Sequence, residues 1–347
     1  MNPLVAHVDG HPAAEVWLDG VPDARAIASP YDDALFSGVT TNPKLLLEGA
    51  SQRLPTLAAQ CPAQYPSAAR LADAARRAVL LDVAARMRPR FEATGGAQGW
   101  VSAQVSPVSF FDAEAMVAEG VALAALADNM MVKVPATVAG LVAAEHLAAR
   151  GVALNVTLST TATQARRAVE ALDRGASRRP PGHPWRAVLT FMVGRLGRAI
   201  AQTHREQLQP GDVRCVELMA IDQQARLVAA ADAPIKLLLC SLRYAEGEDA
   251  ALGARAVQLA YARGRPIVLT CPRPLLEGLF DLAPEPPRRL EAAKQDRLLR
   301  LRVVAQALRV DALDDPAVDA WPPMRINREE HLAAYRELTR RAQEVLP

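Results

Sequence analysis

The run MMVKVPAT, residues 130–137, places one charged side chain, Lys133, in an otherwise apolar segment with the composition of a buried strand. Burial disfavours the charged form of lysine and lowers its pKa by up to about 3 to 5 units, which leaves a nucleophilic amine. The chain holds 40 lysine and arginine residues, but only Lys44, Lys133, Lys236 and Lys294 are lysines. Since arginine cannot supply a neutral amine, a lysine kept inside a strand indicates a chemical role. The alternative is a lysine at a strand end that extends its ammonium group to water.

Strand-like segments recur along the chain and are separated by helix-sized stretches. Eight are predicted, at residues 16–20, 37–44, 100–107, 130–137, 152–158, 187–193, 235–242 and 266–272. Eight β/α units are typical of a parallel α/β fold closed into a (β/α)8 TIM barrel. An open doubly wound sheet is the alternative, but it favours a glycine-rich phosphate turn after the first strand, and the DGVP run at 19–22 is not one.

The whole chain, 1–347, is predicted to form a single barrel domain. The barrel core is expected at 12–275, and a helical extension at 276–347 is expected to pack on the barrel, where it can reach across the mouth. The tail from residue 283 is predicted to be helical with a break at 313–323. Asn327 is a candidate N-cap of the last helix, with Glu330 in capping-box spacing.

Bulk composition excludes several classes of protein. The formal net charge is +2 and no basic face is indicated, so we expect no nucleic-acid partner. Residues 1–10 lack the pattern of a signal peptide, and no run approaches 18 uncharged apolar residues, so we expect a cytoplasmic protein with no membrane partner. The cysteines are far apart and are expected to be reduced core thiols that bind no metal: Cys61, Cys215, Cys240 and Cys271. A monomer or a homodimer is expected.

In a parallel barrel the carboxyl ends of all strands open on one face, so residues at those ends can meet. Such residues are Asp19, Asn42, Gln104, Lys133, Asn155, Thr157, Thr190, Arg195, Ser241 and Arg243. The set combines a lysine for a Schiff base, a carboxylate to move protons, amides and hydroxyls to bind a sugar, and arginine with serine to bind phosphate. Plainer roles stay open, because Asp and Asn are common in turns and helix caps, Thr favours strands, and most arginines lie on the surface. Cys240 and Met192 are expected to be core residues.

Several motifs resemble those of the transaldolase family. They are TTNP at 40–43, VKVP at 132–135 with GL at 140–141, NVTL at 155–158 with QA at 164–165, VGR at 193–195 and SLR at 241–243. The resemblance covers about residues 15–275 and implies a class I Schiff-base aldolase barrel that needs no metal and no organic cofactor. It implies a transferase that moves a dihydroxyacetone unit from a ketose phosphate, sedoheptulose 7-phosphate or fructose 6-phosphate, to an aldose phosphate acceptor, as in the pentose phosphate pathway.

The resemblance also implies a role for each matching residue. Lys133 would form the Schiff base, Asp19 would be the acid/base near the carbanion, and Thr157 would hold the catalytic water or proton donor. The remaining matches would contact the three-carbon unit, at Asn42, Asn155 and Thr190, or the phosphate, at Arg195, Ser241 and Arg243.

Position 104 departs from the family pattern, which has glutamate in strand three. Gln104 cannot exchange a proton near neutral pH. Glutamine at this place resembles the fructose-6-phosphate aldolases, which compensate with a tyrosine on strand six, but this chain has Phe191 and Met192 there. We therefore expect Schiff-base and phosphate chemistry with altered proton handling. The alternatives are an aldolase that releases or uses free dihydroxyacetone, a specialised transaldolase of a secondary pathway, and a sugar-phosphate-binding protein without turnover.

Overall fold

Eight parallel strands pair in sequence order and close into a barrel. The computed structural model describes residues 15–21, 36–60, 64–241, 267–271 and 292–346. The strands are β1 Glu15–Asp19, β2 Gly38–Thr40, β3 Trp100–Gln104, β4 Met130–Pro135, β5 Leu154–Ser159, β6 Ala187–Met192, β7 Ile235–Cys240 and β8 Ile267–Cys271. The prediction of a (β/α)8 TIM barrel is confirmed, and each strand overlaps the segment predicted for it.

Helices follow the strands and cover the outside of the barrel. Within the described ranges before β8 they are α1 Pro43–Ser51, α2 Leu54–Gln60, α3 Ala68–Ala93, α4 Ala113–Ala124, α5 Val138–Ala149, α6 Ala162–Ala176, α7 Val193–Thr203 and α8 Asp212–Ala229. Three begin directly after a strand at a residue whose side chain accepts a hydrogen bond from the first turn: Asn42 for α1, Thr137 for α5 and Thr161 for α6. These N-caps fix where each strand stops, and so they fix which side chain stands at the barrel mouth.

The interior strands are buried on both faces, as expected for a parallel sheet covered by helices. Every residue of β3, β4, β5 and β6 is buried. Cα pairing aligns Lys133 with Gln104 on one side and with Asn155 on the other. The register therefore places these three polar residues at one level of the barrel.

At the amino ends of the strands, a buried ion network surrounds Glu15. Its carboxylate accepts hydrogen bonds from Arg186 at 2.7 Å and from Lys236 at 2.6 Å. Burial raises the pKa of Glu15, but the two cations outweigh that effect and hold the pKa below its ordinary value. The carboxylate is therefore charged at neutral pH and joins the starts of β1, β6 and β7.

The C-terminal helices are α9 Ala292–Leu299, α10 Arg302–Leu308, α11 Asp315–Asp319 and α12 Pro322–Val345. Helix α12 packs against α1, α2, α3 and α7 and also contacts β5. The predicted break at 313–323 is confirmed only in part: residues 313–314 and 320–321 are not helical, but the segment also contains α11 and the first two residues of α12. Asn327 as N-cap is wrong: Trp321 is the N-cap, and Asn327 lies inside the helix, where its side-chain amide donates to the carbonyl of Pro323 at 2.7 Å. The predicted helical residues 283–291 lie outside the described part of the chain.

The cysteine prediction holds where it can be checked. Cys215 and Cys240 are buried free thiols, whereas the side chains of Cys61 and Cys271 are outside the described residues. No helix in the described ranges has both the length and the apolar character that a membrane span requires.

Candidate active site

A cavity of about 190 Å³ lies at the carboxyl ends of the strands. Seven of the predicted site residues line it: Asp19, Asn42, Lys133, Thr157, Thr190, Arg195 and Ser241. Gln104 and Asn155 are buried at the same level of the barrel but are not part of the cavity wall. Arg243 lies outside the described residues. Strand ends that are far apart in sequence therefore meet around one space, as the fold class requires.

Lys133 projects from β4 into this cavity and is 6% exposed. Its amine donates hydrogen bonds to the hydroxyl of Thr40 and to the backbone carbonyl of Thr41, both at 3.1 Å. Burial lowers the pKa of Lys133, and the nearby carboxylate of Asp19 only partly opposes that shift. The alternative in which the ammonium group extends to bulk water is wrong. The TTNP motif at 40–43 thus supplies the partners of the amine, and sequence reasoning had selected only Asn42 from it.

Asp19 ends β1 and faces the same cavity. Burial raises the pKa of its carboxyl group, and the charge of Lys133 partly offsets this rise. The pKa values of the two residues are therefore shifted toward each other. The amine becomes easier to deprotonate, and the carboxylate becomes easier to protonate. Such a pair is suited to exchange protons with a bound molecule.

A buried chain of hydrogen bonds orients Thr190. Its hydroxyl donates to the side-chain carbonyl of Asn155 at 2.6 Å, and the amide nitrogen of Asn155 donates to the hydroxyl of Ser102 at 2.9 Å. Because the Thr190 proton is committed to Asn155, the lone pairs of its oxygen are left for the cavity. Asn155 therefore acts here through Thr190 and not as part of the cavity wall.

Backbone strain is concentrated in the cavity wall. Among the described residues, Leu158 with φ 62° and Ser241 with φ 56° are the non-glycine residues in the left-handed region. Both line the cavity. The pairing of β5 with β6 also shifts register between Val156 and Ser159, around Thr157. Irregular strand ends of this kind redirect side chains and are common beside functional sites.

Helix α12 contributes three residues to the cavity, and sequence reasoning assigned none of them to the site: Asn327, Glu330 and His331. Glu330 accepts two hydrogen bonds from the guanidinium of Arg195, at 2.9 and 2.5 Å. The cation predicted to bind phosphate is thus engaged by a carboxylate. The hydrogen bonds to Arg195 hold the pKa of Glu330 below its ordinary value, so the pair is ionic at neutral pH.

The imidazole of His331 lies against Gln104. Its Nδ1 is 2.9 Å from the side-chain amide nitrogen of Gln104, and the ring makes an edge contact with Phe110. Burial, together with the charge of Lys133, lowers the pKa of His331 to about 3. The ring is therefore neutral at physiological pH. Because an amide nitrogen can only donate, Nδ1 accepts from Gln104 and the hydrogen of the neutral ring is on Nε2; the ring also lines the cavity.

The wall also includes Lys44, Cys240 and Met192. Cys240 and Met192 are buried, as expected of core residues, but they also face the cavity. Burial raises the pKa of the Cys240 thiol to about 12, so it stays protonated. Within the described ranges, no cluster of three His, Cys, Asp or Glu side chains is arranged to hold a metal ion.

The fold and the cavity define a class of protein: a parallel (β/α)8 barrel with a buried amine and a carboxyl group at the carboxyl ends of its strands. Residues 16–233 match the family model described as Transaldolase/Fructose-6-phosphate aldolase, and the chain belongs to this family. The resemblance drawn from the sequence motifs is confirmed.

Individual relatives support the same family. The chain is 33% identical to Transaldolase 1 of Streptomyces avermitilis over 178 residues, which covers 47% of this chain and 45% of the relative. It is 33% identical to the transaldolase of Acidothermus cellulolyticus over 207 residues, or 52% of each chain. It is 30% identical to the transaldolase of Thermobifida fusca over 267 residues, or 72% of this chain and 67% of the relative. The chain thus spans about half the length of the first two relatives.

Proposed function

We propose that this protein is a transaldolase that carries a dihydroxyacetone unit from a ketose phosphate to an aldose phosphate through a Schiff base on Lys133. The observation that carries the proposal is the amine of Lys133, which is buried in the barrel mouth, has a lowered pKa and faces the same cavity as Asp19. Sedoheptulose 7-phosphate and fructose 6-phosphate are the expected donors. A cytoplasmic role in the pentose phosphate pathway, with small phosphosugars as its partners, follows from the proposal.

The chemistry assigns separate tasks to the amine and the carboxyl group. The neutral amine attacks the ketone carbon, and loss of water gives an iminium ion. Cleavage of the adjacent carbon–carbon bond sends its electron pair into the iminium, while Asp19 accepts the proton of the hydroxyl group on the carbon that becomes the aldehyde of the leaving aldose phosphate. An aldose phosphate leaves, and the enamine that remains on Lys133 adds to the acceptor aldehyde. Hydrolysis of the new iminium then frees the product and the amine.

The cavity wall offers contacts for the rest of the substrate. The hydroxyl oxygen of Thr190 can accept from a hydroxyl of the three-carbon unit, the amide nitrogen of Asn42 can donate to one, and Thr157 can hold the water. Arg195 and Ser241 can bind the phosphate, and the sequence adds Arg243 to that pair.

A bound sugar phosphate requires movement at helix α12. The cavity volume of about 190 Å³ is below the roughly 300 to 1,000 Å³ typical of small-molecule sites. The carboxylate of Glu330 is already paired with the guanidinium of Arg195. A phosphate must therefore displace this carboxylate, and α12 is the element that has to yield. Opening at α12 enlarges the same space that the phosphate enters.

A second candidate function is an aldolase that releases or uses free dihydroxyacetone. The observation that favours it is the neutral amide of Gln104 at the place where a transaldolase has a carboxylate. Product analysis with and without erythrose 4-phosphate separates the two functions. Free dihydroxyacetone that accumulates at the same rate in both cases identifies the aldolase.

Reductive trapping tests the proposal. Incubation with fructose 6-phosphate and cyanoborohydride should add the mass of a reduced three-carbon unit to the wild type. Lys133→Met should stay unmodified, whereas Lys294→Met, in which a partly exposed lysine on α9 is replaced, should react like the wild type. A wild-type protein that binds fructose 6-phosphate but never gains mass would contradict the proposal and favour binding without turnover.

A further inference from the structure

We propose that a groove beside the reaction cavity, lined by Arg195, Arg198 and Arg302, is a second phosphate site, where sugar phosphates dock before their phosphate group reaches Arg195. The proposal rests on the proposed function, because it says how the substrates of that reaction enter. The groove, here called the arginine groove, has a volume of about 300 Å³ and lies between helices α7, α10, α11 and α12. Of its three arginines, only Arg195 belongs to one of the transaldolase motifs.

The arginine groove adjoins the cavity that holds Lys133. Arg195 lines both spaces and is the one described residue that they share. On helix α12, Ile326 lines the groove and the next residue, Asn327, lines the cavity. The volume of the groove reaches the lower end of the range typical of small-molecule sites, whereas the volume of the cavity does not. A sugar phosphate therefore has room in the groove before α12 moves.

The groove carries positive charge that no acidic residue offsets. Its described lining contains three arginines and no aspartate or glutamate. Arg195 is paired with Glu330, but Arg198 and Arg302 are exposed and form no ion pair within the described ranges. The formal net charge of the whole chain is only +2, so two unpaired cations in one groove are a local feature. A cleft lined by one sign of charge concentrates ligands of the opposite sign.

The arginines are held in place by regular structure. Arg198 follows Arg195 by three residues on α7, so the two side chains lie on the same face of that helix. Arg302 begins α10, which packs on α7. The next residue, Val303, donates its backbone N–H to the imidazole of His204 at the end of α7, at 3.3 Å. This hydrogen bond joins the start of α10 to α7 and keeps the cations on one groove.

The proposed reaction indicates what the groove receives. A transaldolase releases one aldose phosphate and takes up another while the three-carbon unit stays on Lys133. Each aldose carries its phosphate at the end away from the reacting carbon, and guanidinium groups suit phosphate oxygens. A phosphate held by Arg198 is one helical turn from the pair of Arg195 with Glu330. It can therefore replace the carboxylate of Glu330 without returning to bulk solvent. The expected ligand is a sugar phosphate monoester.

Trapping kinetics test the groove. At low salt and subsaturating fructose 6-phosphate, serine at both Arg198 and Arg302 should slow trapping with cyanoborohydride by about 2- to 30-fold, the loss of two exposed ion pairs. The rate at saturation should not fall, and the difference should vanish in about 1 M salt, which screens exposed charges. Trapping of dihydroxyacetone, which has no phosphate, should keep the wild-type rate.

The matched control replaces Arg205 and Arg309 by serine. Both are exposed arginines that follow α7 and α10 but do not line the groove, so the same net charge is lost. This variant should trap fructose 6-phosphate at the wild-type rate. Equal rates in the two double variants would overturn the proposal, and so would an equal loss of trapping with fructose 6-phosphate and with dihydroxyacetone.

A second measurement does not depend on the Schiff base. Sorbitol 6-phosphate has no carbonyl group, and it should slow the modification of Arg198 and Arg302 by phenylglyoxal, read by peptide mass, but not that of Arg205 or Arg309. If the wild type forms no adduct with fructose 6-phosphate, the proposed function fails, yet this protection would still identify a phosphate site. Absence of protection at Arg198 and Arg302 would overturn the inference whatever the trapping result.

Discussion

The ion pair between Arg195 and Glu330 predicts that Glu330→Gln strengthens the binding of phosphate. The guanidinium is buried and donates two hydrogen bonds to the carboxylate. A phosphate that binds to Arg195 must break this pair and must also approach a second negative charge. Glutamine keeps the size of the side chain but removes the charge, so both penalties become smaller.

The magnitude follows from the exposure of the two partners. Charged hydrogen bonds contribute roughly 1.5 to 3 kcal/mol when buried, and exposed ion pairs contribute about 0.2 to 1 kcal/mol. The side chain of Arg195 is 9% exposed and that of Glu330 is 35% exposed, so the pair lies between these limits. We take about 1 to 2 kcal/mol, which corresponds to an affinity gain of about 5- to 30-fold.

Calorimetric titration with inorganic phosphate and with a non-reacting sugar phosphate measures this gain. Glu329→Gln is the control, because it removes the same charge from the exposed neighbouring residue. If Glu330→Gln and Glu329→Gln bind phosphate equally well, or if Glu330→Gln binds it more weakly than the wild type, Glu330 does not compete for Arg195.

Three further variants test other parts of the structure. Asp19→Asn removes the charge that raises the pKa of Lys133, so the pH midpoint of trapping by cyanoborohydride should move lower; an unchanged or higher midpoint would contradict the coupling. Glu15→Gln leaves Arg186 buried without its carboxylate and should cost about 3 to 5 kcal/mol, seen as a lower melting temperature. Since the pKa of Glu15 is lowered, its contribution is present above the ordinary carboxyl pKa and is lost as pH falls through the lowered value, so the two melting curves should converge in acid. Gly140→Ala would place a methyl group 2.0 Å from a backbone carbonyl oxygen at the end of β4, and we expect a lower melting temperature and slower trapping; wild-type values for both would show that the strand end can yield.

The barrel could be predicted because its strands are covered on both sides. Buried parallel strands are short apolar runs, and such runs alternate here with helix-sized stretches. In the C-terminal region the prolines at 316, 322 and 323 predict a break, and the structure places the short helix α11 inside it. Proline also starts helices, because the first helical residues need no amide donor, and α11 and α12 each begin at such a site. The choice between these two effects depends on tertiary packing.

The carboxyl ends of parallel barrel strands open on one face, and this rule located the site residues that the β-strands bring to the barrel mouth. It could not locate the site residues that come from α12. Asn327 and His331 are four residues apart, on the helix face whose other members are apolar and packed on the barrel. Polar residues at that spacing in a buried stripe were the available signal. It was missed because Asn327 was assigned to a helix cap. Whether such a stripe faces a core or a cavity depends on where α12 lies, and local sequence does not specify that.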